Sequence, residues 1–83
     1  MKHYIVYGIT DCPSCLKAQA LLMERDLEYV VVIGDFSKSY RHHIRQQLNW
    51  PTFPIIVEAT EHNNTVIGGY DQLRAHIDGI ASL

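Results

Sequence analysis

Eighty-three residues are enough for one domain with a single modest core, and a hydrophobic fraction of 47 % supports that core without structural staples. A formal charge of −2, with seven Lys and Arg not gathered into a run, gives no electrostatic basis for nucleic-acid binding. The apolar stretches fall far short of a membrane span, and the residues after Lys2 and His3 lack the pattern of a signal peptide. A chain that is not exported and carries two cysteines is expected in a reducing, cytoplasmic compartment. There a disulfide serves chemistry rather than scaffolding.

The chain opens on an apolar run that predicts a strand over 3–8, buried on both faces and ended by Gly8. Next comes Thr10-Asp11-Cys12-Pro13-Ser14-Cys15-Leu16-Lys17, which holds both cysteines. Pro13 suits the first position of a helix over 13–26, so Cys12 falls at its N-cap. The unpaired N–H groups and positive dipole end there favour an anion, which for cysteine is the thiolate. Cys15 lies one turn deeper on the same face, close enough to form and reopen a disulfide. Two alternatives stand beside this dithiol reading: half of a zinc site, and a pair of inert buried cysteines. Zinc takes about four ligands. The sequence has no second cysteine pair, and its five histidines show no i, i+4 spacing on one helix.

The stripe Leu16, Ala20, Met23 and Leu27, widened by Leu22, is the expected buried face of the first helix. A β-branched run over 28–33 predicts a second strand, parallel to the first across a right-handed crossover. Ser37 is the expected N-cap of a helix over 38–48 with a thin stripe of Tyr40, Ile44 and Leu48; His42-His43 fall beside that stripe and read as a solvated face or partly packed imidazoles rather than as ligands or a proton shuttle. Trp50-Pro51-Thr52-Phe53-Pro54 is an extended turn, because its prolines exclude a helix. Strands over 55–58 and 65–67 flank Glu61-His62-Asn63-Asn64, where asparagine tolerance of positive φ predicts a hairpin. Gly68-Gly69 breaks the last strand. Asp71 is the expected N-cap of a helix over 72–81 that buries Leu73, Ile77, Ile80 and Ala81. The order β-α-β-α-β-β-α predicts an α/β protein in which helices cover both faces of a four-stranded mixed sheet.

Three separated motifs then resemble those of the glutaredoxins, dithiol proteins of the thioredoxin-like fold. Cys12-Pro13-Ser14-Cys15 is similar to the family's Cys-Pro-Tyr-Cys, Thr52-Phe53-Pro54 to its Thr-Val-Pro, and Gly68-Gly69-Tyr70-Asp71 to its Gly-Gly-aromatic-or-Cys-Asp. The stretch Gly69-Tyr70-Asp71-Gln72-Leu73-Arg74 looks closest to the small glutaredoxins of bacteriophages, which would place the protein in host cytoplasm. The resemblance implies a glutathione-dependent thiol–disulfide oxidoreductase with glutathione as cosubstrate and no metal. Its partners would be disulfide-bearing or glutathionylated proteins, ribonucleotide reductase among them, and it would act as a monomer. Cys12 would be the nucleophile and Cys15 the resolving thiol, with Pro54 in the cis form beside them. Thr52, Phe53, Pro54, Gly69, Tyr70 and Asp71 would hold glutathione. Two other functions share the fold: reduction by thioredoxin reductase, and an iron–sulfur cluster bridged between two chains. Three departures from the family pattern bear on the glutathione groove. Ile9 stands where a lysine is usual, Ser14 where an aromatic is usual, and Asp11 sets a negative charge beside Cys12.

Overall fold

The structure is a computed structural model that describes residues 2–81, with side chains in the last helix as far as Gly79. Its elements are β1 (Lys2–Gly8), α1 (Pro13–Glu24), β2 (Tyr29–Ile33), α2 (Lys38–Gln47), β3 (Ile55–Thr60), β4 (Asn64–Gly68) and α3 (Tyr70–Ala81). The strands form one sheet in the order β2-β1-β3-β4. β1 runs parallel to β2, while the pairs β1/β3 and β3/β4 are antiparallel. This is the element order and mixed sheet that the sequence predicts.

The main core lies on the face of the sheet covered by α1 and α3. Tyr4 and Val6 of β1 meet Ala18, Leu21 and Leu22 of α1, Ile56 of β3, and Leu73 and Ile77 of α3. Burial of each large apolar side chain stabilises the fold by roughly 1.5–3 kcal/mol. The other face of β1 differs from expectation: His3, Ile5 and Tyr7 are only partly buried. Tyr40 of α2 approaches Tyr7 on that face, but the helix is short and buries only Ile44 among its side chains. Ile80 and Ala81, expected on the inner side of α3, lie outside the described side chains.

The inward face of α1 is also not the expected one. Cys15, Ala18, Leu21 and Leu22 point inward, while Leu16 and Met23 are 64 % and 68 % exposed. Ala20 is exposed as well. Apolar residues at 15, 16, 18, 20, 21, 22 and 23 permit more than one stripe, and the one that faces inward with Cys15 is offset by one position from the expected one, a rotation of about 100° about the helix axis. The helix stops at Glu24, not residue 26, because Asp26 turns left-handed with φ 57°. Leu27 N–H then reaches Leu22 O at 2.9 Å and Asp26 N–H reaches Met23 O at 3.1 Å, which satisfies the last carbonyls and directs Leu27 to the core.

Ser37 caps α2 as expected, its hydroxyl accepting the Tyr40 N–H at 3.1 Å. For α3 the expectation fails by two residues. The helix begins at Tyr70, so Gly69 occupies the cap and Asp71 lies in the first turn. The Gln72 side-chain oxygen reaches back to the Gly69 N–H at 3.1 Å, one half of a capping box. The hairpin forms where expected, but by a different device: Thr60 N–H and hydroxyl both bind Asn63 O, and neither Asn63 nor Asn64 adopts positive φ.

At the end of the sheet remote from the cysteines, Tyr4, Lys2 and His76 converge on the Glu58 carboxylate. Tyr4 donates its hydroxyl at 2.9 Å, and His76 Nε2 lies at 2.8 Å. Lys2 Nζ lies at 3.6 Å. Burial pushes the Glu58 carboxyl up, but the hydrogen bonds from His76 and Tyr4 with the nearby Lys2 charge outweigh it and hold the group below its ordinary value. Burial, reinforced by the Glu58 partner, pushes the Tyr4 hydroxyl up to about 12.

Candidate active site

The loop from β1 to α1 is held at both ends. At its start, Gly34 N–H binds Gly8 O at 3.0 Å. Thr10 then gives both its N–H, at 2.9 Å, and its hydroxyl to the Asp35 carboxylate. Those two hydrogen bonds hold the Asp35 carboxyl below its ordinary value. Asp11 takes φ 54°, a left-handed conformation that Asp tolerates better than most residues. Cys12 follows in an extended conformation as the N-cap of α1, with Pro13 in the first turn.

The Cys15 N–H is 3.2 Å from Cys12 Sγ, so the sulfur takes the place of an ordinary capping oxygen. The two sulfurs are paired, with Cα atoms 5.2 Å apart. They are unequal: Cys15 is 1 % exposed, while Cys12 is only partly buried. Gly8 makes room for the inner sulfur, since a Cβ there would lie 3.2 Å from Cys15 Sγ.

Two further segments meet this dithiol. The Phe53–Pro54 peptide bond is cis, and the Phe53 carbonyl lies 3.9 Å from Cys12 Sγ. Gly68, with φ 125°, leads into the start of α3 beneath the Trp50 ring. A Cβ on Gly68 would lie 2.9 Å from that ring, which requires glycine by space as well as by backbone conformation.

Thr52, Phe53, Pro54, Gly69, Tyr70 and Asp71 all line one groove of about 280 Å³, together with Ser14, Trp50 and Gln72. Sequence reasoning had no role for Trp50 and Gln72. Trp50 read only as part of a turn, although its ring roofs Gly68 and its buried Nε1 has no hydrogen-bond partner among the described residues. Gln72 is legible as the third residue after a glycine cap, a pattern that an N-cap at Asp71 does not use. Lys17 runs across to α3, with Nζ 6.0 Å from the centre of the Tyr70 ring. Among the described residues no group of three or more His, Cys, Asp or Glu is arranged to hold a metal ion.

A dithiol capping a helix, set beside a cis-proline loop and the glycine-led start of another helix on a β2-β1-β3-β4 sheet, defines a thioredoxin-like protein. The family model for glutaredoxin matches residues 4–62, and the chain belongs to the glutaredoxin family. Solved structures of glutaredoxins share its fold. Glutaredoxin from Brucella melitensis is 27 % identical with a TM-score of 0.72, over 93 % of this chain and 79 % of that one. A buckwheat glutaredoxin–glutathione complex is 21 % identical with a TM-score of 0.73, over 94 % and 71 %. Glutaredoxin 1 from Francisella tularensis, complexed with cacodylate, is 18 % identical with a TM-score of 0.67 over the whole of both chains. No curated protein shows a significant match.

Proposed function

We propose that this glutaredoxin is a glutathione-dependent thiol–disulfide oxidoreductase working through Cys12 and Cys15. The observation that carries this reading is the groove beside Cys12, into which two segments distant in the chain bring Thr52, Phe53 and Pro54, and Gly69, Tyr70 and Asp71. The buckwheat neighbour, a complex with glutathione, supports the same ligand class.

In the reduced protein, the helix N-terminus and the Cys15 N–H favour the Cys12 thiolate. That thiolate attacks one sulfur of a substrate disulfide. A Cys12–substrate bond forms, and the other sulfur leaves with the electron pair and takes up a proton. Cys15 then attacks Cys12 Sγ, closes the intramolecular disulfide and expels the reduced substrate thiol. One glutathione thiolate reopens the pair as a Cys12–glutathione disulfide. A second removes the first, giving oxidised glutathione and the dithiol. A glutathionylated substrate bypasses Cys15, because Cys12 takes the glutathione directly.

The N–H groups at the start of α3, around Tyr70 and Asp71, suit the carboxylate of the γ-glutamyl end. The Phe53 backbone suits strand-like pairing with the cysteinyl part, next to Cys12. Pro54 closes the groove beside the sulfur. Action as a monomer in cytoplasm, donating electrons to ribonucleotide reductase or a similar disulfide-forming enzyme, fits this chemistry.

The test is a pair of coupled assays, one driven by glutathione with glutathione reductase and the other by thioredoxin reductase. Turnover in the first alone is expected. Turnover in the second alone would replace glutathione as the electron source.

A further inference from the structure

Positive charge is segregated in this molecule. Helix α2, with the sequence KSYRHHIRQQ, carries Lys38, Arg41 and Arg45 and no acidic residue, in a chain whose formal charge is −2. Outside α2, Lys2 pairs with Glu58 and Arg25 and Arg74 with Asp78, which leaves Lys17, over the Tyr70 ring, as the one cation there with no carboxylate partner shown among the described residues. Arg41 is turned inward, its Nη1 donating to the carbonyls of Gly34 and Asp35. That leaves Lys38, His42 and Arg45, spaced i, i+4, i+7 on one helix face, with no carboxylate partner shown among the described residues.

The three line a groove of about 660 Å³ whose far end is the fully exposed Phe36. A second groove, of about 530 Å³, continues from His42 and Arg45 towards Trp50 at the mouth of the active-site groove. The stripe also ends at the chemistry. Arg45 lies 5.6 Å from the centre of the Phe53 ring, and the Phe53 carbonyl is 3.9 Å from Cys12 Sγ.

We propose that this face of α2 is a docking track for an acidic segment of the protein substrate, lying to one side of its reacting cysteine. The inference rests on Cys12 as the attacking sulfur. The occupant follows from charge: Lys38 and Arg45, cations that no carboxylate neutralises among the described residues, raise the encounter rate of a negative partner and hold it in one orientation. Lys38 and Arg45 are seven residues apart, about 10 Å along the helix. In an extended segment that distance separates carboxylates about three residues apart. Asp11, next to Cys12 in the chain, and Asp71, in the active-site groove, are both exposed and disfavour acidic residues close to them. The track therefore reads charge on one flank of the substrate cysteine only, with Phe36 offering an apolar contact at its end.

The experiment uses the full chain carrying Cys15→Ser and single-cysteine peptides blocked as mixed disulfides with thionitrobenzoate. Cys12 thiolate attacks the peptide sulfur, the Cys12–peptide disulfide forms, and thionitrobenzoate leaves as a coloured thiolate. This readout needs no glutathione. Peptides with acidic, neutral or basic flanks, on either side of the cysteine, are compared. At low salt the acidic flank on the favoured side should react about tenfold faster than the basic one, and about 0.5 M salt should erase the difference. Adding Lys38→Glu should slow the acidic peptide about threefold or more while sparing the neutral peptide. A carboxylate is favoured in the first turn of a helix, so α2 remains folded. Rates independent of flank charge, a preference for basic flanks, or a preference insensitive to Lys38→Glu would overturn the track. A flank preference accompanied by turnover with thioredoxin reductase alone would keep the track and overturn the glutathione reading.

Discussion

Thr10 binds the Asp35 carboxylate through both its backbone N–H and its hydroxyl, so the loop that presents Cys12 is tied to the turn that precedes α2. The tie joins residues far apart in sequence, and Thr10 stands two residues before the N-cap sulfur. Asp35→Ala is expected to loosen the Cys12 loop without unfolding the sheet. Amide exchange at Thr10 should quicken and alkylation of reduced Cys12 should slow several-fold, with the denaturant midpoint lowered only slightly because the tie is at the surface. Because the folded-state Asp35 carboxyl is held below its ordinary value, the tie is present above the unfolded carboxyl pKa and is lost as pH falls through the folded one. An alkylation rate unaffected by the substitution would show that the loop holds its shape without this carboxylate.

The cysteines should separate two kinds of substrate. Cys12→Ser removes the exposed sulfur and leaves only the inner one, so every exchange reaction should be abolished. Cys15→Ser keeps the attacking group. It should still deglutathionylate small substrates, since a second glutathione can resolve Cys12, but fail or slow greatly on protein disulfides. If Cys15→Ser is as inactive as Cys12→Ser on a glutathionylated peptide, the protein works as a dithiol reductase of the thioredoxin kind.

At the start of α3, Gly68→Ala introduces a Cβ at φ 125° and 2.9 Å from the Trp50 ring. It should cost about 1–3 kcal/mol in denaturant unfolding. Asp71→Ala, exposed and in the first turn, should leave stability nearly unchanged and raise KM for glutathione more than it lowers kcat. Equal KM values for Asp71→Ala and wild type would remove that residue from the glutathione site.

The Tyr4–Glu58–His76 cluster sets stability at both ends of the pH scale. Glu58 is held low in the folded protein, so its contribution is complete above the unfolded carboxyl pKa and disappears as pH falls through the folded one. Tyr4 is raised from 10.0 to about 12, so its contribution is complete below 10 and is lost on the way to 12. Tyr4→Phe should cost about 1 kcal/mol at neutral pH, and its stability should fall less steeply than wild type over that alkaline window. Parallel alkaline unfolding curves for the two proteins would show that the tyrosine proton is not linked to folding.

Much of this protein is written locally. Pro13 after Cys12, the β-branched run at Tyr29–Ile33, Ser37 before α2 and the prolines around Phe53 act within a few residues of themselves, so element order and the helix-capping dithiol follow from sequence alone. What failed was decided at longer range. The inward stripe of α1 depends on where Cys15 meets the sheet, because several apolar residues competed for that face. The cap of α3 lies at Gly69 and not at Asp71, with the Gln72 side chain accepting the Gly69 N–H, and the Trp50 ring packed above leaves room only for glycine at position 68. Segments far apart in the chain produce one groove beside Cys12, and a carboxylate at Asp35 secures its loop. The sequence names those groups, but only packing across the sheet sets their distances, since no local propensity acts over 25 to 41 residues.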